Sequence, residues 1–196
     1  MAHPLLIGRR ILAGGLAAMV VRPSRAATRS RYVFDGTRGQ LEFTARHLGI
    51  LSSTGRFENF AAELLIDPDQ PLTTAVTVTV HTAAIALAYP GAVDLLRSPA
   101  FFDVEHFPEA RFTGAATGRG SLAGFSLAGE LTIRGITRPF AMDARLVDRR
   151  RDATLGADVA AFAATGEMKR SEYGMTAESA AISDTIRLTV HVSLIV

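Results

Sequence analysis

LLRSPAFFDVEHFPEARF, residues 95–112, decides how the rest of the chain is read. Phe101, Phe102 and Phe107 crowd this segment and Phe112 closes it, with Arg97, Asp103, Glu105, His106, Glu109 and Arg111 interleaved. Pro99 and Pro108 exclude a continuous helix or a central strand. An apolar, irregular segment must bury its rings while its backbone groups still find partners. Such a segment is expected to act as a plug that packs its aromatics into something hollow. Ala92 to Arg97, just before it, is expected to form one or two helical turns.

The sequence on either side is β-patterned. Leu41, Phe43, Ala45 and His47 alternate with Glu42, Thr44 and Arg46. Val76, Val78 and Val80 alternate with Thr77, Thr79 and His81, in a run dense in β-branched residues. Phe125, Leu127, Gly129, Leu131 and Ile133 form a third such face. Phe140, Met142, Ala144 and Leu146 form a fourth, and Ile186 to Leu194 a fifth. The run from Gly55 to Ile66 breaks alternation, because Phe57 and Phe60 are three apart; this predicts a bulge near Glu58-Asn59. Turns are expected at Gly36 to Gly39, Asp67-Pro68-Asp69 and Gly118-Arg119-Gly120. Asp148 to Asp152 (DRRRD) reads as a charged loop. About eight strands, short turns and no amphipathic helices between them predict an all-β antiparallel barrel or sandwich.

With 196 residues, 48% of them hydrophobic, the chain can bury a substantial core. It has no cysteine, which excludes disulfides and thiolate metal sites. The N-terminus reads as an export signal. Arg9-Arg10 precedes the apolar run Ile11–Val21, too short to span a bilayer, and Ser24 and Ala26 suit a signal-peptidase cut. The Arg pair with Leu12 resembles a twin-arginine signal, with Gly8 where Ser or Thr is usual. The expected organisation is a signal peptide over 1–26 and one domain over 30–196. Without residues 1–26 the chain carries 17 basic and 19 acidic residues, a net of −2. No basic bias then suggests nucleic acid.

Catalytic and metal motifs are absent from the sequence: no GxSxG, HExxH or P-loop, and histidines scattered over separate segments. No catalytic residue, metal site or cofactor is therefore assigned. The surplus is apolar. Phe43, Phe57, Phe60, Phe125, Leu131, Phe140 and Met142 come from several strands, and Leu95, Phe101 and Phe102 from the plug. These ten are the candidate ligand-binding residues. Small inward residues (Ala45, Ala62, Gly114, Gly129, Ala144, Ala161, Ala163) are expected to leave volume for a hydrophobic chain in a dry tunnel.

Several segments, in order, resemble the YceI-like family of polyisoprenoid-binding-type, lipocalin-like proteins. These are HLGILSSTGRFENF (residues 47–60), LLRSPAFFDVEHFPEARFTG (95–114), GELTIRGITRPFAMD (129–143), KRSEYGM (169–175) and the closing strand ISDTIRLTVHVSLIV (182–196). One departure is ALAYPGAVDLLRS, which lacks the Arg-Asp pair usual before Leu-Arg-Ser. The resemblance implies an extended eight-stranded antiparallel β-barrel with a helical plug. It implies a long isoprenoid or similar amphiphilic lipid as ligand, such as a quinone tail or a polyprenyl phosphate. It further implies a periplasmic location, transient membrane contact and homodimers. Two other readings are an enzyme acting on such a lipid with His47 as base, and a structural or stress-response module whose core is filled.

The leader makes a direct prediction. Arg9→Lys with Arg10→Lys should leave uncleaved precursor in the cytoplasm, while the unaltered chain yields mature protein beginning near Ala27. Fractionation followed by N-terminal sequencing checks both.

Overall fold

The computed structural model of the chain describes residues 30–35, 39–66, 73–121 and 123–195. The leader, the start of the Gly36 to Gly39 turn and the Asp67-Pro68-Asp69 turn lie outside the described residues. Among the described residues, eleven strands form one sheet: β1 (Ser30–Asp35), β2 (Gly39–His47), β3 (Leu51–Phe57), β4 (Phe60–Ile66), β5 (Ala75–His81), β6 (Ile85–Ala86), β7 (Glu109–Ser121), β8 (Gly124–Ile133), β9 (Ile136–Asp152), β10 (Ala157–Lys169) and β11 (Ile182–Ile195). One helix, α1 (Ala92–Arg97), precedes the plug, and a 3-10 turn (Arg170–Tyr173) follows β10. All strand pairs are antiparallel, in the order β1-β4-β5-β7-β8-β9-β10-β11-β2-β3-β6.

Apart from β1, which lies outermost beside β4, the two ends of that order are halves of the same chain segments. β3 runs into β4 across Glu58-Asn59, and β5 runs into β6 across Thr82 to Ala84. Phe57 pairs with Ile85 and Phe60 with Val80, so one bent hairpin contributes strands near both ends of the sheet, which curls round into a barrel. The bend falls at the broken alternation between Phe57 and Phe60. There the Glu58 N–H donates to the Ala84 carbonyl (2.8 Å), and the His81 N–H to the Asn59 carbonyl (2.9 Å). Eleven strands replace the expected eight in part because these two runs each divide in two.

The inner faces match the period-two pattern. Leu41, Phe43 and Ala45 are buried on β2, Leu131 and Ile133 on β8, and Phe140, Met142 and Ala144 on β9. Three local expectations change. Gly118-Arg119-Gly120 is not the turn: β7 continues to Ser121, with a register shift after Thr117. The DRRRD segment is not a loop but the end of β9, paired with β10 as far as Asp152 opposite Ala157. Its charges are exposed and offset one another, Arg150 with Asp148 at 2.7 Å and Arg151 with Asp158 at 3.4 Å. The true turn is at 153–156, where the Asp152 carboxylate accepts the Thr154 and Leu155 N–H groups. Ala161 and Ala163 are not the inward residues of β10. A shift opposite Val147 sets Phe162 against Leu146 and Ala164 against Ala144, and Ala164 and Met168 join the core. Pro139 lies inside β9. The β9–β10 ladder ends at Asp143, so Pro139 has only β8 to pair with and no donor is missed.

The β8–β9 hairpin turns on Arg134 (φ 51°) and Gly135 (φ 71°), both left-handed as a tight two-residue turn requires. Gly114 and Gly129 face each other across β7 and β8, and a methyl on Gly129 would strike the Thr113 carbonyl oxygen and the Gly114 Cα. Nothing lies within 4 Å of the corresponding position on Gly124. Gly129→Ala should therefore lower the denaturant midpoint, by about 1–3 kcal/mol in stability. Gly124→Ala on the same strand should leave it within about 0.5 kcal/mol.

Candidate functional site: an apolar cavity beneath the plug

The plug satisfies its own backbone. Ser98 carbonyl oxygen accepts from Phe101 (3.0 Å) and Asp103 (2.9 Å), and the Leu96 carbonyl from Phe102 (2.9 Å). Three bonds tie it to the barrel: the Arg97 Nε donates to the Ala83 carbonyl (2.9 Å), the Thr82 hydroxyl to the Phe107 carbonyl (2.9 Å) and the Thr82 N–H to the Pro108 carbonyl (2.9 Å). Asp103, at φ 50°, accepts from the His106 ring nitrogen Nδ1 at 2.9 Å. That hydrogen bond raises the His106 pKa above its ordinary value, and the Asp103 charge adds to the rise. The rings then point inward. Phe101 is 3% exposed, and Phe102 packs edge-on against Phe57 at 5.7 Å, which in turn tilts against Phe43 at 5.2 Å.

Beneath the plug lies a cavity of about 250 Å³. Its wall is made by the plug and by the strand halves nearest it. Phe43, Phe57, Leu131, Phe140 and Met142 line it from the sheet, and Leu95, Phe101 and Phe102 from the plug side. Two of the ten candidate residues lie elsewhere. Phe60 is buried against Gly39, and Phe125 packs on the core opposite Ala144. Of the small inward residues, Ala45 lines the cavity and the others do not. Ala62, Gly114, Gly129 and Ala144 lie outside the lining, because rings lean over the gaps: the Phe112 ring covers Gly114 and the Phe140 ring covers Gly166. The far half of the barrel is packed, and the cavity belongs to the half closed by the plug.

The wall also has polar members outside the ten candidates: His47, which alternation places on the inner face, and Ser53 and Arg170, which the sequence reading did not single out. His47, at the end of β2, shares a 2.6 Å hydrogen bond between Nε2 and the Ser53 hydroxyl, and both residues line the cavity. A general-base reading of His47 asks for a carboxylate to orient the ring; among the described residues its bonded partner is Ser53 alone. Arg170 is the larger omission. It is 3% exposed and lines the cavity, yet no carboxylate pairs with it among the described residues. Its guanidinium donates instead to four carbonyl oxygens: Ser183 (3.1 Å), Met175 (2.6 Å), Ala177 (2.7 Å) and Ile182 (3.0 Å). Its Cζ sits 5.7 Å from the Phe101 ring centre. Beside it, the Ser171 backbone N–H and hydroxyl hold the Asp184 carboxylate and lower its pKa. The available signal was an arginine inside an irregular stretch flanked by Met168 and Met175.

Among the described residues there is no group of three or more side chains able to hold a metal ion, and no helix long and apolar enough to cross a membrane.

A model of the YceI-like domain matches residues 32–194. The chain belongs to the YceI-like family. Within it, the chain is 27% identical over 186 residues to the "UPF0312 protein" of Serratia proteamaculans, covering 94% of this chain and 96% of that one. It is 26% identical over 186 residues to the "Protein YceI" of Salmonella arizonae, with the same coverage. The fold is shared with BcnA of Burkholderia cenocepacia (TM-score 0.71, 18% identity, 81% of this chain and 98% of that one). It is shared too with a protein from Saccharophagus degradans described as a polyisoprenoid-binding domain (TM-score 0.58, 10% identity, 86% and 99%). The YceI-like segments quoted above fall on the cavity's own parts: the β2–β3 hairpin, the plug, the β8–β9 hairpin and the Arg170 turn.

Arg170→Met keeps the bulk but leaves the carbonyls unpaired. It should lower stability by about 3 kcal/mol or more, since each buried acceptor left alone costs about 1–3 kcal/mol. Arg170→Lys should recover only part of that loss, having a point charge in place of a planar fork. Urea denaturation of the two variants checks the ranking.

Proposed function

We propose that this chain binds and carries a long-chain isoprenoid or similar amphiphilic lipid in the cavity beneath the plug, as an exported, periplasmic protein. The observation that carries the reading is the cavity itself: a nearly all-apolar space, walled on one side by a short segment rather than by the sheet. Each methylene moved into it from water contributes about 0.8 kcal/mol, so an apolar tail needs no polar contact to bind. The Saccharophagus degradans neighbour described as polyisoprenoid-binding supports the same ligand class.

At about 250 Å³ the space is smaller than pockets that enclose drug-sized ligands, roughly 300–1,000 Å³. A long tail therefore enters by displacing plug side chains, with Leu95 and Phe102 the wall that gives way. The surface beside the mouth suits such an exchange. Leu48, Ile50 and Leu51 are 72%, 85% and 64% exposed in the turn that follows His47, and Leu95 is 41% exposed on α1. Leu48 also holds φ 48°, a left-handed conformation that a leucine adopts at a cost. An apolar tip kept in water and in strain fits transient contact with a lipid surface.

The test is an organic extract of protein purified from the periplasm, examined by mass spectrometry. A single class of lipid at a substantial fraction of one per chain is expected, and Phe101→Ala with Phe102→Ala should retain several-fold less. Protein that carries no lipid, and that takes none up from vesicles, would remove the carrier reading.

A further inference from the structure

The cavity's polar residues bear on which head group it takes. We infer that the His47–Ser53 pair is the anchor for an uncharged, hydrogen-bonding head group, such as a carbonyl, hydroxyl or amide, and that the site is not built for a phosphate. This rests on the lipid-binding reading and adds the head-group class to it.

The argument begins with charge. A phosphate or diphosphate bound away from water needs several donors and a compensating cation. Two arginines touch the cavity, Arg111 and Arg170. Arg170 has five N–H groups; hydrogen bonds to backbone carbonyls engage four of them and leave one on Nη2, while the Phe101 ring covers its face. Turning the guanidinium toward a ligand would strip those carbonyls of partners. Arg111 is exposed, at the position of β7 whose neighbours Ala110 and Phe112 point into the core. One remaining Arg170 N–H is fewer than the several donors a phosphate needs, and Arg111 points away from the core.

The His47–Ser53 pair is different. Both side chains sit in the wall on the inner faces of β2 and β3, one residue from the exposed Leu48 turn. A head group would lie there, at the mouth, with its tail running toward Phe112, Phe140 and Val190. The pair can present either sense of hydrogen bond. When the imidazole Nε2–H donates, the Ser53 hydroxyl keeps its proton to offer; when the hydroxyl donates, its lone pairs accept. That versatility suits a neutral polar group. The fold does not need the pair, since replacing both partners of a hydrogen bond by apolar groups is close to neutral in stability.

The experiment is displacement of Nile red from the lipid-stripped protein by three ligands with one isoprenoid tail: a hydrocarbon end, a primary amide and a diphosphate. In the unaltered protein the amide should bind about three- to tenfold tighter than the hydrocarbon, the value of one net hydrogen bond. The diphosphate should bind no tighter than the hydrocarbon. In His47→Leu with Ser53→Ala the amide's advantage should vanish, read as the ratio of amide to hydrocarbon affinity within that same variant. Ser53→Ala alone, the smaller change, should show the same loss if the double variant does not fold. Equal binding by all three ligands would overturn the anchor and leave the carrier reading standing, as would a diphosphate that binds tightest. An amide advantage that survives in the variants would overturn it too. Failure of all three to bind would remove both.

Discussion

A single buried cation holds the mouth of this barrel together. Arg170 brings a full charge to a place where water is excluded, and the four carbonyls around it come from Met175, Ala177, Ile182 and Ser183. An irregular loop and the start of β11 thus share one centre. Over its face lies Phe101, the most buried ring of the plug. Burying such a charge is costly unless its donors are used, and here they are used on backbone that would otherwise lack partners. The loop needs the arginine to fold, the arginine needs the loop to be solvated, and the plug seats on the result.

That arrangement separates the molecule into two halves. Away from the plug, rings lean over the inward glycines and close the interior, so the barrel is stabilised by packing alone. Near the plug, rings from the sheet and from the plug meet without filling the space. Room for a ligand is therefore a property of the closing segment more than of the strands. The wall is continuous and rigid on the sheet side and short and locally tied on the other, held to the barrel by Arg97 and Thr82.

Much of this could be read in the sequence, for physical reasons. Period two fixes which side chains face in, so the inner faces of β2, β5, β8 and β9 were legible from alternation. The bend at Glu58-Asn59 was legible because Phe57 and Phe60 break that period, and the plug because its prolines and phenylalanines suit no regular element. The errors lie where alternation carries no information. DRRRD has no apolar residue to mark a face, so an exposed strand end looks like a loop. On β10, alanines stand at both parities, and only the shift at Val147 decides which ones turn inward. Arg170 was hidden because its partners are carbonyl oxygens, which every sequence has and none displays. Phe60 and Phe125 were chosen by type and face alone, and height along the barrel, which places them outside the cavity, has no signature in one strand.

The closure of the sheet has a consequence for how the chain reaches this state. From β7 to β11 each strand pairs with the next in sequence, through short connections as far as β10 and across residues 170–181 to β11, so that region can assemble from neighbours in sequence. β11 then pairs with β2, Ile186 opposite Ala45, joining segments from opposite ends of the domain. Contacts of that separation carry a large loop-closure cost and slow the search. The cavity exists only after that last seam is made, since β2 and β11 both supply its wall. During folding, then, the apolar lining stands open to solvent longest on the two strands that finish the barrel, and a lipid or chaperone present at that moment meets it before the plug does.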